Sequence, residues 1–333
     1  MRDSNSAQQG CQAESLKLYP NNLVIHRQSM QPKQITIAAN KIISAIPRNI
    51  ELRLTEIGPT IAPAQTSALY SPLHATEPYS GINVVRDMNY GPHERNLLDL
   101  FTADESSGPA PVLVFIHGGG FTAGSKKSPS SPFYDNVMLW AATHGMIGVN
   151  ATYRLAPAHQ WPSAQQDLGM VIQWVKRNIG KYGGDADRVF LLGHSAGAAH
   201  VAQYLGHSEF HTVPNGGVIA AMLISGIFDL ASFAEKAMAE SYFGGDPVVM
   251  AERCALPGLA NAHLPLLFAY AEHDPATFKE QTTKAVERLC QANSKIELAE
   301  LVGHNHLSEV YGINTNDQGL SNTLLAFMKE NRR

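Results

Sequence analysis

Ser195 stands in Gly193-His194-Ser195-Ala196-Gly197, between the apolar run "RVFLLG" and the alanine-rich stretch "AGAAHVAQYLG". Glycines two residues before and after a serine leave room for a strained strand-to-helix turn that lifts the hydroxyl out of a sheet. The helix that follows aims its N-terminus at the site and favours developing negative charge. Glycine and serine are also ordinary turn residues, so this pattern alone allows a tight turn without chemistry.

A second stretch, "VLVFIHGGGFTAG", ends another apolar run with His117-Gly118-Gly119-Gly120. Consecutive glycines let backbone N–H groups approach a substrate oxygen, as a tetrahedral acyl-transfer intermediate requires. The reading assigns an oxyanion hole to the N–H groups of Gly119, Gly120 and Ala196. A phosphate-cradling loop is the rival, but the stretch has neither the lysine of a P-loop nor the spacing of a dinucleotide fingerprint. His117, just before the glycines, reads as a buttress of the loop.

A serine hydroxyl needs a base, and the base needs an acid to orient it. In a parallel sheet both belong at the C-terminal ends of later strands. "PLLFAYAEHD" ends at Asp274, and "KIELAELV" is followed by "GHNHLSE" with His304 and His306. The order Ser195, Asp274, His306 is the one expected of a nucleophile elbow in such a sheet. His306 is preferred to His304 because it lies further into the loop. Glu272 and Asp229 are the alternative acids, Asp229 reading rather as a turn or capping residue. A metal centre of His304, His306 and Asp274 would leave Ser195 and the glycine loop unexplained, so neither metal nor cofactor is expected.

These residues need a scaffold, and the sequence supplies one by alternation. "INVVRDM", "NLLDLFTA", "PVLVFI", "MIGVNATY", "RVFLLG", "VIAAMLISG", "PLLFAYAEHD" and "KIELAELV" read as strands, with helical stretches between most of them. This predicts an α/β fold whose mostly parallel eight-stranded sheet carries helices on both faces. Met170, Val171, Trp174 and Val175 recur at helical spacing as a face packed on the sheet. Residues 1–58 read as a polar, partly disordered extension and 59–333 as the catalytic domain; the N-terminal segment and 231–264 contribute a small cap.

With these motifs in this order, and with "NATYRLAPAHQWPSAQQDL", the chain resembles the α/β-hydrolase superfamily. The likeness is to serine esterases of the hormone-sensitive-lipase-like and feruloyl-esterase or arylformamidase-like branches, over about residues 82–330. It implies a structural Arg154–Asp167 pair near the site floor. His194 departs from the lipase-like branch, which usually places an acid before the serine. Phe121, Tyr153 and Trp161 are candidates for lining an acyl or alcohol pocket.

The expected activity is that of a serine carboxylesterase acting on short-chain or aryl esters through an acyl-enzyme. An arylformamidase-type amidase and a non-catalytic hydrolase-fold binding protein are the alternatives. The net charge of −4 and the absence of a long basic run give no footprint for nucleic acid; Lys126-Lys127 and Arg332-Arg333 read as solvated surface or tail. Three scattered cysteines, Cys11, Cys254 and Cys290, fit a reducing compartment better than a disulfide framework. No secretory leader or apolar span is read, so the expectation is a cytoplasmic protein taking a small-molecule ester, with a homodimer left open.

Overall fold

The continuous apolar runs become the centre of one sheet because only strands buried on both faces tolerate them. The computed structural model describes residues 38–104, 108–233, 236–292 and 295–332. The expected extension therefore lies largely outside the described residues, as do Cys11 and Arg333. The elements run β1 (Asn40–Ile43), α1 (Arg48–Ile57), α2 (Pro63–Tyr70), β2 (Ile82–Asn89), β3 (Leu97–Ala103), β4 (Ala110–Ile116), α3 (Asp135–Thr143), β5 (Ile147–Ala151), α4 (Ser163–Asn178) and β6 (Gly184–His194). They continue with α5 (Ala196–Gly206), β7 (Ala220–Ile224), α6 (Lys236–Phe243), α7 (Pro247–Glu252), α8 (Leu256–Asn261), β8 (Leu266–His273), α9 (Ala276–Leu289), β9 (Ile296–Asn305), α10 (Ser308–Tyr311) and α11 (Gly319–Glu330).

Among the described residues the sheet has nine strands, in the order β1-β9-β8-β7-β6-β4-β5-β3-β2. All neighbours pair in parallel except at β3, which is antiparallel to both β2 and β5. All eight strands read from the sequence are present. The ninth corrects the count: β1, from the segment read as an extension, pairs in parallel with β9 in the register Asn40↔Ala299 to Ile43↔Val302. It is an edge strand whose side chains are mostly exposed, so it carries no buried pattern to read.

Hydrophobic cores lie on both faces of the sheet, as a doubly covered sheet requires. In α4 the fully buried stripe is Leu168, Val171, Ile172 and Val175, a 3.6-residue period. The expected face is therefore turned by about one position. Met170 and Trp174 sit at its margin, where Trp174 stacks on Tyr182.

Lys126 corrects the surface reading of the basic pair. It is 6% exposed, and its ammonium donates to Asp87 and Asp99, each at 2.6 Å. Arg86 on β2 joins this group by donating to Asp99 and Asp135, both at 2.8 Å. The network ties the chain leaving the glycine loop to β2, β3 and α3. Removing one partner of a buried pair typically costs about 3–5 kcal/mol, because the remaining charge is left uncompensated. Asp99→Asn is therefore expected to lower stability by about 3 kcal/mol, read as the urea-unfolding midpoint; an unshifted midpoint would show that the pairs add nothing net.

Candidate active site

Ser195 occupies the turn between β6 and α5 with φ 56 and ψ −124, a left-handed conformation that a residue with a side chain adopts only when its surroundings impose it. The two flanking glycines explain the imposition. A Cβ on Gly193 would lie 2.6 Å from the Gly197 carbonyl oxygen, and one on Gly197 would lie 2.1 Å from the Ile116 carbonyl oxygen. Helix α5 thus rests directly on the end of β4, and Ala196, as its first residue, has an N–H without an intrahelical acceptor.

The partners arrive from the ends of β8 and β9. His306 places Nε2 2.9 Å from Ser195 Oγ and Nδ1 2.7 Å from Asp274 Oδ1. The carboxylate can only accept, so Nδ1 carries the proton and Nε2 is free to take one from the serine. Asp274 is buried, and its other oxygen accepts from Ser225 Oγ at 2.5 Å and from the Ala271 N–H at 2.9 Å. The structure brings Ser195, Asp274 and His306 together in the order anticipated.

The alternatives are placed elsewhere. Glu272 accepts from the Gly303 N–H, and Asp229 accepts from the Ala231 N–H within a turn. His304 faces away, with Nε2 2.7 Å from Asp317 Oδ2 and Nδ1 2.9 Å from Ser308 Oγ. The grouping of His304, His306 and Asp274 as metal ligands does not form. Among the described residues, the set whose potential ligand atoms do converge, within 4.8 Å, is His194, His306 and Glu309. There His306 is engaged by Asp274 and Ser195, and His194 Nε2 donates to the His306 carbonyl at 2.7 Å.

The glycine loop lies against the serine: a Cβ on Gly118 would meet Ser195 Cβ at 3.0 Å, and Gly119 and Gly120 have φ of 133 and 58. His117 is fully buried, stacks on Tyr153 at 4.4 Å, and approaches the Gly118 carbonyl at 2.7 Å through Nδ1. Burial pushes its imidazole down to about 3, which suits a neutral prop and not a base. Arg154 and Asp167 pair as expected, with the guanidinium at 2.9 Å and the Arg154 N–H at 2.8 Å.

A cavity of about 420 Å³ opens beside Ser195, walled by Ile61, Pro63, Phe133, Tyr134, Met238, Phe278, Leu307 and Tyr311 and by Ser125, Ser128 and Ser131. The expected lining aromatics are not among these residues. Phe121 is fully buried against Tyr242 and Phe243, and Tyr153 donates to the His117 carbonyl at 2.7 Å. Trp161 packs beside Phe210 under the Arg253 guanidinium. Ile61 and Met238 show that the N-terminal segment and the 231–264 insertion do both reach the cavity. The N-terminal segment also grips the His306 loop: Asn305 donates to Thr66 at 3.1 Å, His304 meets Ser44 at 3.0 Å, and the Ala45 N–H donates to Asp317 at 3.2 Å. Ser225, which the sequence reading does not single out, lies one residue past β7 just as Asp274 lies one residue past β8.

The architecture is that of the α/β-hydrolases, and the comparisons agree. The BD-FAE family profile matches residues 98–238. Esterase LipC of Mycobacterium tuberculosis (strain ATCC 25618 / H37Rv) is 27% identical over 66% of this chain and 59% of its own length. Esterase LipQ of the same organism is 31% identical over 57% of this chain and 46% of its own. The chain thus spans about half the length of these curated relatives. Among solved structures, esterase B from Lactobacillus rhamnosis, in a form inhibited by a tributyrin phosphonate, superimposes with a TM-score of 0.65 at 19% identity. That match covers 86% of this chain and 97% of that one. The Pyrobaculum calidifontis esterase gives a TM-score of 0.64 at 19% identity, covering 86% of this chain and all of that one (100%). Among the described residues no helix is long and apolar enough to cross a membrane.

The buried histidines set a pH dependence. Burial lowers His200, like His117, to about 3. The unfolded chain binds a proton at each near 6.5 while the folded chain does not, so the folded state is fully favoured above that pH and loses ground as pH falls toward 3. Each such histidine contributes a slope of about 1.4 kcal/mol per pH unit in that window. His200→Gln is expected to flatten the stability profile between pH 6 and 4 by about that amount, measured by urea unfolding; an unchanged slope would show that His200 takes up its proton in the folded state.

Proposed function

We propose that this protein is a serine hydrolase that cleaves carboxylic esters through an acyl-enzyme. The observation that carries the reading is the buried line Ser195–His306–Asp274, set beside a glycine loop at the end of the neighbouring strand β4. His306 removes the proton from Ser195 Oγ as the oxygen attacks the carbonyl carbon, and Asp274 balances the imidazolium that forms. The N–H groups of Gly119, Gly120 and Ala196 receive the negative oxygen. His306 then protonates the leaving alcohol, and a water activated by the same imidazole releases the acid.

The reading takes the substrate to be a short-chain or aryl ester, and the aromatic wall formed by Phe133, Tyr134 and Tyr311 supports an aryl group there. Similarity to the mycobacterial esterases supports ester over amide. The three scattered cysteines support a reducing compartment such as the cytoplasm, and a homodimer is proposed as an open alternative that light scattering on the purified protein would detect.

Ser195→Ala and His306→Ala are each expected to lower kcat on p-nitrophenyl acetate by about 10⁴-fold or more, with KM nearly unchanged. Retention of wild-type turnover by Ser195→Ala would overturn the serine mechanism. A marked preference for N-formylkynurenine over p-nitrophenyl esters would replace the esterase reading with an arylformamidase.

A further inference from the structure

Behind the catalytic line lies a layer of buried polar groups that the reaction steps above do not use. Glu309, in α10 and one turn beyond His306, is 1% exposed, and neither of its carboxyl oxygens makes a well-aligned hydrogen bond, although the carboxyl lies within reach of the Ser225 hydroxyl. Oε1 lies 3.2 Å from His194 Nε2, and the carboxyl stands next to Ser225 and Asp274. An unpaired carboxylate at such a position costs several kcal/mol, and a second negative charge beside Asp274 raises that further. Burial and the Asp274 charge accordingly push Glu309 well above the usual carboxyl range, in the direction of the neutral acid.

A neutral Glu309 has one proton to donate, and its neighbours restrict where that proton goes. From the end of β6, His194 Nε2 already donates to the His306 carbonyl, which can only accept, so this nitrogen takes no proton. From the end of β8, Asp274 Oδ1 is engaged by His306 Nδ1, and Oδ2 receives the Ser225 hydroxyl and the Ala271 N–H. From the end of β7, Ser225 Oγ donates its hydrogen bond to Asp274 and keeps its acceptor capacity. His194 itself is neutral, pushed well below the usual imidazole value by burial and by His306.

We propose that Glu309 is a positioning residue: its O–H donates to Ser225 Oγ, which locks the Ser225 hydroxyl onto Asp274 and so fixes the orientation of His306 toward Ser195. The row is Glu309, Ser225, Asp274, His306, Ser195, supplied by α10 and the ends of β7, β8, β9 and β6. Its neutral head matters, because an ionised Glu309 would compete with the His306 carbonyl for the single His194 proton and loosen the loop that carries the base. The proposal rests on the reading of Ser195, Asp274 and His306 as a triad.

The test is the rate at which a fluorophosphonate labels Ser195, followed from pH 5 to 9, with folding checked by thermal melting. E309L and S225A are each expected to slow labelling about tenfold or more at pH 7, and the double variant to be no slower than the slower single one, since both break the same row. E309Q retains a donor without a charge; it is expected to restore labelling to within about threefold of wild type with an unshifted acid limb. Folded E309L that labels at the wild-type rate would overturn the proposal, as would losses that multiply in the double variant. If E309L does not fold, E309Q and S225A decide: wild-type-like labelling by E309Q with slowed S225A supports the row, and E309Q slowed beyond tenfold overturns it. Wild-type protein that is labelled yet hydrolyses no ester would overturn the ester reading and leave the row standing.

Discussion

The strained turn at Ser195 is the fixed point of the molecule. Holding a non-glycine residue at φ 56 costs on the order of 1–3 kcal/mol, so the surroundings must over-determine it. They do so through close approach: β6 lies between β4 and β7 in the sheet, and α5 presses on β4 through Gly197 with no room for a methyl group. The same contact sets the glycine loop at the end of β4 beside the serine. Asp274 follows at the end of β8 and His306 at the end of β9, so a single direction of strand ends gathers the three hydrogen-bonded side chains.

Charge is rationed around that point. His117, His194 and His200 are buried and held neutral by desolvation, and Glu309 is pushed toward the neutral acid by desolvation and the nearby carboxylate. The positive charges of Arg86 and Lys126 lie in a separate network in which both share Asp99. That network fastens the chain between the glycine loop and α3, the stretch that also supplies Ser125, Ser128 and Phe133 to the cavity wall. The proposed proton transfer from Ser195 to His306 would therefore take place in surroundings where few other groups change charge.

Eight strands were legible because β-branched apolar runs such as "PVLVFI" leave few alternatives. β1 was not, since "NKII" is four residues long, lies at an edge and buries almost nothing. Ser195, Asp274 and His306 were legible because each follows a recognisable strand and chemistry demands those types at strand ends. The cavity wall was not: Ile61, Phe133, Met238 and Tyr311 come from four distant segments, and an aromatic residue in a core and one facing a pocket look alike in sequence. Phe121, Tyr153 and Trp161 show the result, since they are packed away from the serine. Glu309 follows the same logic, because an acid opening a short helix reads as an exposed residue favouring the helix dipole.

The grip of the N-terminal segment on the His306 loop has a consequence for how the protein comes to be. Residues 40–70 touch their partners, His304, Asn305 and Asp317, only after more than two hundred intervening residues have been made. Contacts of such sequence separation form late, and a chain emerging from the ribosome must hold its first strand without a partner until β9 appears. His306 is thus held by contacts that can form only once β9 has been made, and a chain that stops short of β9 carries Ser195 without its proposed base.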